Sequence, residues 1–170
     1  MQIRRLTPAD ASIFQSLRLE SLRTEPAAFG ASVEEECSLP LSTIEARLLE
    51  KNDRASFGAF KDGVLLGHVG LGRENLKKLS HKGFVWGMYV VPTARRQGIA
   101  RELLRAALSL ARSVDEIKQL NLCVNADNLA AIALYELLGF KTYGREPGAM
   151  LVNGELFDEV HMSLRFPVER

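Results

Sequence analysis

Between Val90 and Leu104 the chain passes from β-branched residues through Pro92 into Arg95, Arg96, Gln97, Gly98, Ile99 and Ala100, then directly into a strongly helical stretch. These residue types in this order suit an anion. The first amides of a helix have no intrahelical acceptor and sit at the positive end of its macrodipole, so a strand-to-helix turn with a glycine open to close approach fits a pyrophosphate. Arg95 and Arg96 add positive charge beside it. Alone the turn is a weak signal, because it carries neither the GxxxxGK[ST] of a phosphate loop nor the GxGxxG of a dinucleotide site. Its plain alternative is a solvated turn.

The elements that must hold this turn are legible in the periodicity. Gln2 to Leu6 alternates as a short strand, and Thr7, Pro8 and Asp10 supply an N-cap, an N1 proline and an acidic N3 residue for a first helix. Ile13, Phe14, Leu17 and Leu22 give that helix its apolar face, and Glu25 and Pro26 end it. Residues 26–41 then read as a loop carrying Phe29 and the run Glu34, Glu35, Glu36, which is either a binding segment or a solvated acidic surface. Ser42 and Glu45 predict a capping box for a second helix, with Ile44, Leu48 and Leu49 on its apolar side and its end near Asn52.

Ala55 to Phe60 and Val64 to Leu71 predict two antiparallel strands joined by a compact turn at Lys61, Asp62 and Gly63. Arg73 to Lys82 is a polar connection. Phe84 to Val91 predicts a third strand, in which Gly87 marks a bulge or a close backbone approach. Ile99, Leu103, Ala107, Leu110 and Val114 then recur at helical spacing. Leu120 to Val124 is another strand, Asn128 caps a helix with the apolar face Ala131, Ile132, Tyr135 and Leu138, and Gly139 closes it. Phe140 to Gly144 and Leu156 to Leu164 are the last strands, around Pro147, Gly148, Asn153 and Gly154. This order predicts an α/β fold, a mixed sheet with helices on both faces, as a single domain over residues 1–170.

Composition narrows the function classes. Lysine plus arginine number 22 against 21 acidic residues, and a formal charge of +1 offers no field for nucleic acid or an anionic membrane. Cys37 and Cys123 lie far apart and show no metal-ligand spacing, so neither a disulfide nor a metal site is expected. There is no apolar leader at the N-terminus and no apolar run near the ~18 residues that a membrane span needs. The expected setting is cytoplasmic.

At this point two segments together resemble the GNAT superfamily of acetyl-CoA-dependent N-acetyltransferases. Arg95, Gly98 and Ala100 fit its Arg/Gln-x-x-Gly-x-Gly/Ala turn between strand and helix. Downstream, Asn128, Ala131, Leu134, Tyr135, Gly139 and Phe140 resemble its Asn-x-x-Ala-x-x-Leu-Tyr-x-x-x-Gly-Phe signature. The resemblance implies a mostly antiparallel, splayed sheet of about seven strands, open between the Met88 strand and the Leu120 strand. It implies that the amides of Gln97, Gly98, Ile99, Ala100 and Arg101 hold the acetyl-CoA pyrophosphate with help from Arg95 and Arg96, and that the Met88 and Val90 backbone pairs with pantetheine. Asn128 would contact the cofactor, cap its helix, or do both. Tyr135 would be the general acid for the departing thiolate, against a plain role in packing. No metal is implied, and family members commonly form homodimers.

Many members of the superfamily place a glutamate on the strand before the motif, and here Trp86 occupies that position. Trp86 lines an acceptor pocket or sits in the sheet as core. Glu34, Glu35, His68 and His81 are then the remaining candidates for a base or for contacts to the acceptor, each with a plainer reading as a surface charge or strand histidine. The run at Glu34 to Glu36 and a weak likeness of residues 152–162 to polyamine and small-amine acetyltransferases suggest a cationic primary amine, with a peptide amine the other acceptor class. The alternative from another class is a non-catalytic acyl-CoA-binding or sensor module.

Overall fold

The structure, a computed structural model, describes residues 1–167. Its sheet has seven strands: β1 (Gln2–Arg5), β2 (Ala55–Lys61), β3 (Val64–Arg73), β4 (Lys82–Val90), β5 (Gln119–Asn125), β6 (Lys141–Val152) and β7 (Glu155–Arg165). Their order across the sheet is β1-β2-β3-β4-β5-β7-β6. Only β4 and β5 run parallel; every other neighbouring pair is antiparallel. The helices are α1 (Ala11–Thr24), α2 (Val33–Cys37), α3 (Leu41–Arg47), α4 (Ile99–Ser113) and α5 (Leu129–Leu137).

The helices cover both faces, as the pattern predicts. On one face Leu103, Leu104 and Ala107 of α4 pack with Val69, Val85 and Leu120, and the same core continues to Tyr135, Phe140 and Met162. On the other, Phe14 and Leu17 of α1 and Ile44 and Leu48 beside α3 pack on Phe60, Leu65 and Tyr89. The β2–β3 and β6–β7 hairpins close on two-residue turns, Asp62–Gly63 and Asn153–Gly154, with all four residues at positive φ. That handedness matches the twist of the flanking strands.

Several local expectations change. Residues 26–41 are not a plain loop: Ser32 Oγ accepts from Glu35 N at 3.2 Å and the Glu35 carboxylate accepts from Ser32 N at 2.8 Å, a capping box that starts α2. The box expected at Ser42 and Glu45 does not form, because α3 begins two residues earlier, with Pro40 rather than Ser42 as its extended N-cap. That helix stops at Arg47 rather than near Asn52. The next carbonyls are drawn into a separate turn, where Arg5 Nη2 donates to Lys51 O and Arg54 O. Ile13 is 43% exposed while Arg18 is buried, so the inward stripe of α1 is Phe14, Leu17, Arg18, Ser21 and Leu22. β6 runs on through Pro147 and Gly148 with a register shift, which an edge strand tolerates because no ladder partner needs the missing N–H.

The entry to α1 is built as the sequence suggests. Asp10 accepts from Thr7 N at 2.8 Å and from both Arg4 terminal nitrogens at 2.8 and 2.7 Å. Bonding to Arg4 holds the Asp10 carboxyl down at about 2.

Candidate active site

β4 and β5 start side by side and then part. Their ladder covers only Lys82, Gly83 and Phe84 against Gln119, Leu120 and Asn121. Just beyond it β4 holds one residue more than β3 between the pairs Gly70–Trp86 and His68–Tyr89, with Gly87 at φ +65. The bulge turns β4 away from β5, and a cleft of about 1040 Å³ opens between them. Past Phe84 the β5-facing edge of β4 has no strand partner among the described residues, which leaves the Met88 region open to pairing with an extended ligand. Met88 and Val90 both line the cleft.

At the end of β4 a single turn at Pro92–Ala94 leads into the arginine segment. Arg96 and Gly98 both take left-handed backbone, φ +63 and +79, and α4 starts at Ile99 with Gly98 as its N-cap. The first bond back to this turn is Glu102 N to Gly98 O at 3.1 Å, so the amides of Ile99, Ala100 and Arg101 precede any helical acceptor. Arg96, Gly98, Ile99, Ala100 and Arg101 line the cleft, and Gln97 lies between them in the same turn. A Cβ on Gly98 would meet nothing within 4 Å. Gly98→Ala therefore tests backbone and ligand approach rather than packing: left-handed backbone costs an L-residue about 1–2 kcal/mol. The expected result is an unchanged fold by circular dichroism and a Kd for acetyl-CoA raised about tenfold by calorimetry; an unchanged Kd would remove Gly98 from the cradle.

The two arginines differ. Arg95 donates through Nε to Val90 O at 3.0 Å and through Nη2 to Glu25 at 2.8 Å, and its guanidinium stands 5.8 Å from the Tyr89 ring. It is a brace between the turn and the end of α1. Arg96 has no ion pair among the described residues and is the exposed charge beside the amides.

The opposite wall is α5. Asn128 accepts from Ala131 N at 3.1 Å, so it caps this helix while also lining the cleft. Tyr135 is 6% exposed, lines the cleft, and sets its ring edge-on to Phe140 at 6.0 Å. No hydrogen-bond partner for its hydroxyl is present among the described residues, and burial pushes the phenol up to about 12. It holds its proton throughout the physiological range.

Trp86 lines the cleft and also lies across Gly70 of β3, whose missing side chain makes room for the indole. His68 is fully buried beneath it, with ring centroids 6.5 Å apart. Burial and the nearby Arg18 charge push His68 down to about 3, so as a base it is too weak at neutral pH. Glu34 and Glu35 are exposed on α2, and Glu35 is committed to Ser32. His81 precedes β4 at the closed end, where its carbonyl accepts from Lys118 N and Gln119 N. Neither the two glutamates nor His81 is among the residues lining the cleft.

Other cleft-side groups escaped the sequence reading. Cys123 lines the cleft, with Sγ 3.4 Å from His161 Nδ1, and His161 Nε2 lies 3.2 Å from Glu146. Cys123, Glu159 and His161 place potential ligand atoms within 4.8 Å of one another, a grouping that their sequence separation hides. Alternation was the available signal: Leu122 and Val124 are core, so Cys123 must face the other way. Arg18 was signalled in the same way by falling within the apolar stripe of α1.

Residues 16–140 match the Acetyltransferase (GNAT) family. Over 100 residues the chain is 35% identical to the N-alpha-acetyltransferase of Sulfurisphaera tokodaii, covering 55% of this chain and 60% of that one, so the likeness spans under two thirds of the relative's length. Over 119 residues it is 26% identical to the L-amino acid N-acetyltransferase AaaT of Escherichia coli, covering 70% of this chain and 73% of that one. The yncA structure of Salmonella typhimurium, solved with its cofactor acetyl-CoA, superposes with a TM-score of 0.83 at 21% identity, over 100% of this chain and 96% of that one. At that identity the likeness is one of fold. Among the described residues no helix is long and apolar enough to cross a membrane. With the family match running over most of the chain, from α1 past the end of α5, this chain belongs to the GNAT acetyltransferase family.

Proposed function

We propose that this protein transfers the acetyl group of acetyl-CoA directly to a primary amine. The observation that carries the reading is the cleft where β4 and β5 separate, with the helix-start cradle at one end and the protonated Tyr135 on its wall. The residues present fit the donor: the Gly98–Arg101 amides and Arg96 would take the pyrophosphate, and the free β4 edge at Met88 would take the pantetheine arm. Acetyl-CoA supplies the acyl group already activated as a thioester. The chain supplies position, exclusion of water and a hydroxyl donor for the sulfur.

An α-amine fits the acceptor better than a polyamine. The acidic run that suggested a cationic partner is largely spent inside the protein, Glu35 on Ser32 and Glu36 on Arg47 at 2.9 Å. The names of the archaeal and bacterial relatives refer to α-amines and L-amino acids. The test is release of CoA thiol from acetyl-CoA by the purified protein against L-amino acids, N-terminal peptides and polyamines. Amine-dependent release is expected; tight acetyl-CoA binding with no release across the panel would mark a binding module instead.

A further inference from the structure

Behind Phe29, Trp86 and Gly87, which line the cleft, lies a polar cluster whose donors lack acceptors among the described residues. Arg18 of α1 is 7% exposed, and its Nε and Nη1 are buried with no hydrogen-bond partner. Both ring nitrogens of His68 are buried and unpartnered as well. The two residues meet under the bulge: a Cβ on Gly87 would stand 3.0 Å from His68 Cε1 and 3.8 Å from Arg18 Nη1. The Arg18 guanidinium carbon lies 4.8 Å from the centre of the Phe29 ring, and Phe29, Trp86 and Gly87 all line the cleft.

Charge inside the cluster does not balance. Glu36 is the acidic group facing Arg18, but its nearest oxygen is 3.9 Å from Arg18 Nε, while it accepts from Arg47 Nη1 at 2.9 and 3.2 Å. Two guanidinium groups thus share one carboxylate. The neutral ring of His68 carries one N–H, so the cluster holds three buried donors and a positive charge only partly balanced by Glu36; neither residue lines the cleft itself, and the two lie behind Phe29, Trp86 and Gly87, which do. Buried donors of this kind are costly unless an acceptor fills the place, and a carboxylate supplies two oxygens and one negative charge.

We propose that Arg18, with His68 beside it, is the subsite for the carboxylate of the acceptor, so that the substrate class is the free α-amino acid rather than a peptide N-terminus or a simple amine. This rests on the acetyl-transfer reading above. An α-carboxylate anchored below Gly87 places the amine, two bonds away, on the β4 side of the cleft, where Met88 begins the open edge. A peptide offers an amide at that position and leaves the guanidinium unpaired.

The experiment compares L-amino acids with the matching L-amino acid amides in the wild-type protein, Arg18→Met and Arg18→Lys, by thiol release and by calorimetric titration into the CoA-bound protein. The acids are expected to be preferred in kcat/KM by about 10- to 100-fold, mainly through KM. Arg18→Met should bring the ratio near one, and Arg18→Lys should restore part of it. Because Glu36 keeps its bonds to Arg47, removing the buried Arg18 charge should leave Tm unchanged or higher, so a lost preference cannot be put down to unfolding. Equal use of acids and amides by the wild type, or a preference untouched in Arg18→Met, overturns the subsite while acetyl transfer stands. If nothing is acetylated, acetyl transfer fails, and the titrations still decide whether acids bind through Arg18.

Discussion

Tyr135→Phe is expected to lower kcat about 100-fold while leaving the Kd for acetyl-CoA within about twofold. The ring stays where it is, since its packing is the edge-on contact with Phe140 and the surrounding apolar core. Only the hydroxyl leaves, and it has no other hydrogen-bond partner among the described residues to lose. Its role is set by magnitudes. Full transfer of a proton from a phenol at about 12 to a thiolate of ordinary pKa ~8.5 is uphill by about 5 kcal/mol. In the proposed reaction the hydroxyl would therefore act as a hydrogen-bond donor to the sulfur as charge develops there, keeping its own proton. A raised pKa also means that kcat shows no loss from phenol ionisation below about pH 11. Steady-state turnover and calorimetry on the variant settle the matter: equal kcat in the two proteins would leave Tyr135 a core residue.

The parts of this fold that were legible in the sequence are those where local chemistry alone decides the backbone. The Thr7–Asp10 cap, the Asp62–Gly63 turn, the Gly87 bulge and the Arg95–Ala100 turn each need particular residues at fixed offsets, whatever packs around them. The splay of β4 from β5 came through family resemblance, and the three-residue ladder bears it out. Tertiary pairing was harder to see. Arg95 and Arg96 look alike as neighbours in sequence, yet contact with Glu25, 70 residues away, makes one a brace and leaves the other without an ion pair among the described residues. Glu34, Glu35 and Glu36 read as one acidic run, but α2 turns each in a different direction: one to solvent, one to its own N-cap, one inward to Arg47. Arg18 was overlooked because an arginine in an apolar stripe is expected to reach outward, and here its side chain stays buried beside Glu36 and the Phe29 ring.

The same cluster makes the protein sensitive to acid over a defined range. His68 is neutral in the fold, with its pKa pushed from 6.5 down to about 3 by burial and by the Arg18 charge. In the unfolded chain it takes a proton near pH 6.5, so below that pH the unfolded state binds more protons and stability falls as pH falls. The slope approaches about 1.4 kcal/mol per pH unit, or about 2–3 kcal/mol lost between pH 6.5 and 4.5, a large share of the stability of a domain this size. Asp10 acts in a lower window: its depressed pKa gives stability that is present above about 3.8 and lost as pH falls toward about 2. Urea titrations at pH 7, 6, 5 and 4.5 should therefore show the decline in wild type and a much flatter profile in His68→Leu. That variant removes two unpartnered ring nitrogens and keeps apolar contact with Phe14, whose ring centre is 5.0 Å from the imidazole, so it should lose nothing at pH 7. A slope as steep in His68→Leu as in wild type would place the acid sensitivity elsewhere. An α-amino acid bound at Arg18, as proposed above, would bring a negative charge to the imidazole's side, raise the His68 pKa and move the onset of acid unfolding to lower pH. Ligand binding and proton binding at this cluster would then be linked through the Arg18 guanidinium.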